Sequence, residues 1–154
     1  MQIQEILSTH CVFASLNAKS KKQVLEELAG KASGATGVSG NKVFETLLER
    51  ERLGTTGVGG GIAIPHGKVE GLDRLLGFFA RLEDPIEFES IDDKPVDLIF
   101  LLLAPMTGGT DHLKALAKIS RLLRDHTKCD KLRAEASPER LYYLLTREAG
   151  AIMS

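Results

Sequence analysis

The spacing of hydrophobic positions changes several times along the chain, and each change marks an element. Residues 10–16 (HCVFASL) predict a strand, preceded by a short helical turn at 4–7. Ser20 is placed to cap a helix, because Val24, Leu25 and Leu28 follow at helical spacing; the turn residues of GATGVSG predict its end near Gly34. A second helix is predicted over 41–53, with Val43, Phe44, Leu47 and Leu48 on one face, Asn41 or Ser39 as cap and Gly54 as stop. Residues 62–64 form a short apolar piece closed by Pro65, which has no N–H to give to a ladder. Two longer runs, 75–82 (LLGFFARL) and 96–103 (VDLIFLLL), predict strands, with a turn at Asp92-Asp93-Lys94-Pro95 between them. The second run is almost continuously apolar, as a strand covered on both faces must be.

The remainder is helical in pattern. A helix over 111–124 would bury Leu113, Leu116, Ala117, Ile119 and Leu123. Shorter helices follow at 128–135 and 138–146, the last capped by Ser137 and opened by Pro138. Strands and helices are interspersed, and neither a repeat nor a linker divides the chain. The expectation is one α/β domain over residues 1–154, a mixed sheet flanked by helices.

Charge and composition narrow the function more than the fold. Twenty basic and 21 acidic residues leave a net charge of −1, and there is no tryptophan. Neither a basic surface nor a base-stacking platform for nucleic acid is expected. Residues 98–105, the longest apolar run, fall far short of a spanning helix, and MQIQEILSTH does not read as a signal peptide. The protein is expected to be cytoplasmic, without membrane insertion. Cys11 and Cys129 stand far apart and are expected to be reduced thiols packed as small hydrophobes.

Chemistry concentrates in one stretch. Residues 54–61 read GTTGVGGG, with Pro65-His66-Gly67-Lys68 just beyond. A phosphate loop of the GxxxxGK[ST] form is absent, since Ile62 stands where its first glycine belongs and Val69 follows Lys68. The GxGxxG form fails as well, because Gly57-Val58-Gly59 leads to Ile62. No nucleotide or other cofactor is expected. A loop of bare amides beside a reactive side chain can still bind an anion. Of the four histidines, His10 has no notable neighbours and His126 is expected at a helix C-terminus, where the dipole favours a cationic ring. His66, between a stiff proline and a small glycine at a strand end, suits a nucleophile that another protein must reach. His112 opens a helix after TGGT, where amides favour anions. No HxxxH, HExxH or cysteine cluster suggests a metal, and no GxSxG elbow suggests a serine hydrolase.

The segment LLERERLGTTGVGGGIAIPHGK, Leu47 to Lys68, resembles the active-site signature of the mannitol/fructose-type IIA family (EIIA type 2) of the bacterial phosphotransferase system. Its form is close to the nitrogen-regulatory branch, IIA-Ntr. The likeness continues through VDLIFLLLAP, TDHLKALAKISRLLRD and LRAEASPERLYYLL, and so covers nearly the whole chain. Where the family typically reads REK.GSTGIGNGIAIPHGK, this chain has Arg52 for lysine, Thr55 for the first serine and Gly60 for asparagine. The Gly60 change leaves open what replaces any polar contact made by that asparagine.

The resemblance implies the mannitol/fructose-type IIA fold and a phosphotransferase component that carries phosphohistidine. His66 would be the phosphorylated nucleophile, His112 an unphosphorylated assistant, and Arg50 the cation neutralising phosphoryl oxygens. Thr55, Thr56, Gly57, Gly59 and Gly61 would form a phosphoryl-binding loop. The implied donor is an HPr- or NPr-like phosphocarrier, docking on apolar residues such as Val58 and Ile62. Implied targets are regulatory partners such as potassium-transport or sensor proteins. Two other readings stay open: a sugar-specific IIA passing phosphate to a fructose- or mannitol-type IIB, and a binding module that is never phosphorylated.

Overall fold

The structure is a computed structural model and describes residues 2–147. Its centre is β6 (Val96–Pro105), whose residues Leu98 to Leu103 are each at most 1% exposed. Burying one such side chain stabilises the fold by about 1.5–3 kcal/mol relative to leaving it in water, so this strand is the largest single contribution to the core. β5 (Leu76–Ile86) runs antiparallel along one side of β6. On the other side, β3 (Ile62–Ala63) pairs parallel with Leu98 and Ile99, and β4 (His66–Val69) pairs parallel with Leu102 to Pro105. β1 (Val12–Leu16) lies parallel on β5, and β2 (Gly57–Gly59) closes the far edge antiparallel to β3. The sheet is mixed, in the order β1-β5-β6-β3-β2 with β4 alongside β6.

Alternation along β6 sends its side chains to two separate cores. Ile99, Leu101 and Leu103 join Val24, Leu25 and Leu28 of α1 (Lys21–Thr36) and Val43 and Leu47 of α2 (Gly40–Arg52). Leu98, Phe100 and Leu102 join Ala115, Ile119 and Leu123 of α3 (Asp111–Leu123), Leu132 of α4 (His126–Ala134), and Leu141 and Leu145 of α5 (Pro138–Thr146). The expected mixed sheet flanked by helices is the architecture found.

Several local expectations need correction. The turn at the start is a 3-10 helix at Ile3–Glu5, and a second, Thr9–Cys11, occupies the beginning of the expected first strand. α1 runs through Gly34 and stops at Gly37, whose φ of 79° gives the left-handed cap. β5 continues past Leu82 through the polar Glu83-Asp84-Pro85, because Ile86 still pairs with Val96. In α3 the buried stripe is Ala115, Ile119 and Leu123, so Leu113 is 56% exposed and Ala117 lies outside. α4 begins two residues early, with the Asp125 side chain capping the Lys128 N–H; His126 therefore opens a helix instead of closing one. Cys11 and Cys129 are free thiols, and burial pushes the Cys129 thiol pKa up.

Candidate functional site

β4 and α2 meet because Gly67 has no side chain. A Cβ on Gly67 would stand 2.6 Å from Thr46 Cγ2, so the helix could not lie this close to the strand. Gly67→Ala is expected to destabilise the fold by about 1–3 kcal/mol through overpacking, read as a lowered urea midpoint. Adding Thr46→Ser removes the clashing methyl and keeps a hydroxyl for the Lys42 carbonyl; it should recover most of the loss.

That close approach makes a cavity of about 390 Å³ at the sheet edge. α2 contributes Thr46, Glu49 and Arg50, and Leu53 follows at its end. β4 contributes His66, Gly67 and Lys68. β6 supplies the floor through Leu102 and Ala104, while α3 closes the far wall with His112 and Leu116. His66 is held by both of its ring nitrogens. Its Nδ1–H donates to the Ile64 carbonyl at 2.9 Å, which leaves Nε2 as the atom with a lone pair. Nε2 accepts from Arg50 Nε at 3.3 Å, and Arg50 Nη1 is anchored on the Gly54 carbonyl at 2.8 Å. Burial lowers the His66 pKa most; the Ile64 hydrogen bond and Glu51 raise it, while the Arg50 and His112 charges add to the lowering. The result is a neutral imidazole with its lone pair facing a guanidinium. His112 has the same arrangement, with Nδ1 on the Gly109 carbonyl at 3.0 Å and Nε2 left over.

Behind Arg50 sits a buried carboxylate. The Glu51 side chain is 5% exposed and pairs with Lys21 Nζ at 2.9 Å. It also accepts from the Thr56 N–H at 3.0 Å and from the Thr56 hydroxyl. Lys21 in turn lies over the Phe88 ring, 4.7 Å from its centroid. These contacts fix the end of α2, and with it the base of the Arg50 side chain.

The structure brings His66, His112 and Arg50 together. Thr55, Thr56, Gly57, Gly59 and Gly61, expected as a phosphoryl-binding loop, are not among the residues that line this cavity. The physical reason is that the loop's polar groups are already engaged. The Thr55 hydroxyl donates to the Phe88 carbonyl and accepts from the Gly57 N–H, and Thr56 is turned to Glu51. The Gly60 N–H donates to Asp92 at 3.0 Å, while the Gly61 carbonyl accepts from the Asp97 and Leu98 amides. Gly60 and Gly61 form the tip of the β2–β3 hairpin with φ of 67° and 82°. Two successive left-handed residues are the signature of a type I′ turn, for which Asn-Gly is a favoured pair. An asparagine at position 60 is therefore a turn former, and no site contact goes missing without it. Gly60→Asn should change stability by less than about 0.5 kcal/mol and leave cavity chemistry unaltered, as checked by thermal unfolding and transfer assay.

Of the residues expected at the docking patch, Ile62 is only 3% exposed, and Val58, 47% exposed, lines a different groove. Leu53, 85% exposed on the cavity lip, is the exposed large apolar residue that lines His66's cavity. Sequence reasoning passed over Thr46, Glu49 and Lys68. Thr46 lies one helical turn before Arg50, and Lys68 two strand positions after His66; both spacings put residues on one face. Among the described residues, no three His, Cys, Asp or Glu side chains cluster as a metal site, and no helix is long and apolar enough to cross a membrane.

Comparison with known proteins places these features in context. Residues 5–148 match the family described as phosphoenolpyruvate-dependent sugar phosphotransferase system, EIIA 2. A nitrogen regulatory protein of Bradyrhizobium diazoefficiens is 53% identical over 145 residues, covering 94% of this chain and 95% of the relative. The crystal structure of the nitrogen regulatory protein IIA-Ntr from Neisseria meningitidis superimposes with a TM-score of 0.89 at 36% identity, over 94% of this chain and 99% of that one. Escherichia coli IIA mannitol, solved in complex with phosphorylated IIB mannitol, shares the fold with a TM-score of 0.77 at 19% identity, over 91% of this chain and 98% of that one.

Proposed function

Because the chain belongs to the phosphoenolpyruvate-dependent sugar phosphotransferase system EIIA 2 family, we propose that it is a phosphocarrier whose His66 Nε2 takes a phosphoryl group from an HPr- or NPr-like phosphohistidine protein. The observation that carries this reading is the divided duty of the His66 ring. Nδ1 is tied to the Ile64 carbonyl, and Nε2 presents its lone pair to the cavity against Arg50.

The step balances without a cofactor. The Nε2 lone pair forms the new N–P bond as the donor's N–P bond breaks, and that electron pair returns to the donor imidazole. The Nδ1–H of His66 stays on Ile64, so no proton must leave the ring during attack. Arg50 begins at 3.3 Å from the nucleophile and needs to move only by the size of the incoming group to meet its oxygens. Lys68 lines the same cavity and adds a donor, and His112 closes its far wall. With little covalent chemistry required, positioning and charge neutralisation supply the catalysis. Phosphorylation then places strong acceptors and negative charge at a surface bordered by Leu53, so partners can distinguish the two states.

The regulatory branch is our reading over the sugar branch. Its support is the 53% identity over nearly full length to a relative named for nitrogen regulation. Potassium-transport or sensor proteins are the class of target proposed. A pulse of labelled phosphohistidine donor tests the chemistry. The adduct should be acid-labile, alkali-stable and confined to the peptide carrying His66; acid-stable label, or label on another peptide, would contradict the proposal.

The lowered His66 pKa has a definite pH signature. The ring should titrate below the usual imidazole value of about 6.5, followed by its Cε1 proton in NMR. The sign for stability follows by linkage. Above about 6.5 the ring is neutral in both folded and unfolded chains and contributes no pH dependence. As pH falls below that value the unfolded chain takes up a proton that the folded chain refuses. Stability from this group therefore declines, and the decline stops once pH has passed the folded pKa.

A further inference from the structure

A second groove, of about 700 Å³, lies between the β2–β3 hairpin and the corner where α3 meets α4. Its floor is core: Ile62, Ile64 and Leu123 line it and are each 5% exposed or less. Its rim is apolar yet open, with Val58 47% and Ile91 73% exposed. Such a volume lies within the range of small-molecule sites, which are mostly apolar with a few convergent polar groups. No Phe, Tyr or Trp side chain lines it.

The polar groups define the head of a ligand. Arg124 and His126 stand in the groove, and neither side chain has a hydrogen-bond or ion-pair partner among the described residues. Among the described residues, the one acid that lines the groove is Asp92. Its Oδ2 accepts the Gly60 N–H and its Oδ1 the Lys94 N–H, so both oxygens already serve the hairpin and its neighbouring turn. An unpaired guanidinium fork matches a carboxylate, and the floor matches an aliphatic chain.

The same groove reaches His66 through a single residue. The Ile64 side chain forms part of its floor, and the Ile64 carbonyl is the acceptor that fixes the Nδ1–H of His66. The Ile64 N–H is bound to the Thr56 carbonyl at 3.0 Å, so the residue is held from both ends of its peptide geometry. A body resting on Ile64 bears directly on the group that orients the ring.

We propose that this groove binds an aliphatic carboxylate, its chain on Ile62, Ile64 and Leu123 and its head on Arg124 with His126, and that occupancy is transmitted to the His66 ring through Ile64. The binding does not depend on the phosphocarrier reading, because it is measured on the unphosphorylated chain.

The test is an NMR titration of the full chain with sodium octanoate, with octylammonium chloride of equal chain length as control. Octanoate should give saturable shifts at the Ile64, Ile91 and Leu123 methyls and, in parallel, at the His66 ring nitrogens. Octylammonium should bind at least tenfold more weakly. Arg124→Gln should weaken octanoate at least tenfold while leaving the chain folded and phosphoryl acceptance from the donor protein unchanged. Equal binding of both probes, shifts spread over Leu53 and Leu113 without saturation, or no effect of Arg124→Gln would overturn the site. Protein-concentration-dependent shifts in the same methyls without any probe would replace the carboxylate by a second copy of the chain, and also overturn it. A saturated groove with an unmoved His66 ring would overturn the coupling.

Discussion

Alanine at His66 is expected to reduce phosphoryl acceptance to the level of a chain that was never exposed to donor. The argument is one of atoms. Among the described residues, the cavity contains two ring nitrogens with available lone pairs, Nε2 of His66 and Nε2 of His112. Only the first is hydrogen-bonded to the Arg50 guanidinium. Removing it removes the bond that would form, and no neighbouring donor can compensate. Stability should change by only about 1 kcal/mol, since the ring is partly exposed and carries no core contact comparable with β6. Thermal unfolding measured alongside the transfer assay separates loss of chemistry from loss of fold. Full labelling of His66→Ala would remove this residue from the nucleophile's role.

The second large effect belongs to Arg50. Arg50→Ala is expected to slow transfer by about 10²–10³-fold, the usual cost of deleting one preorganised donor to developing negative charge. Arg50→Lys should recover part of this and no more. A lysine keeps the positive charge but loses the fork that holds Gly54 with one nitrogen and faces His66 with another. The His66 pKa should rise in the alanine variant, because a neighbouring positive charge has been removed. A single-turnover rate close to the parent's would show that Arg50 merely ends a helix.

What the sequence made legible, and what it hid, divides by the range of the interactions. α5 could be read to the residue, because Ser137 and Pro138 act locally and the Ser137 hydroxyl does accept the Arg140 N–H. β6 was nearly as plain, expected over 96–103 and found over Val96–Pro105, since a strand buried on both faces needs apolar residues at almost every position. β2 and β4 were invisible. Gly57-Val58-Gly59 and His66-Gly67-Lys68-Val69 each hold a single strand-favouring residue, a valine, and they are strands because β3 and β6 lie beside them. The same distinction governs the site. The motif around His66 marked the candidate nucleophile, the TGGT turn marked His112, and the family resemblance supplied Arg50. The glycine run looked like an anion cradle because composition does not show where amides point. Here the Gly57 and Gly60 amides point into the hairpin and its flanking turn. Glu51 gave no local signal of burial; its partner Lys21 is thirty residues away, at the start of another helix.

The central claim is that Nδ1 of His66 is held by Ile64 so that phosphorus arrives on Nε2. It is tested most directly by ¹⁵N NMR of the phosphorylated protein with labelled histidines. The account predicts coupling of phosphorus to Nε2 of His66, with Nδ1 still protonated and still donating to a carbonyl. Phosphorus on Nδ1 of His66, or on either nitrogen of His112, would contradict it.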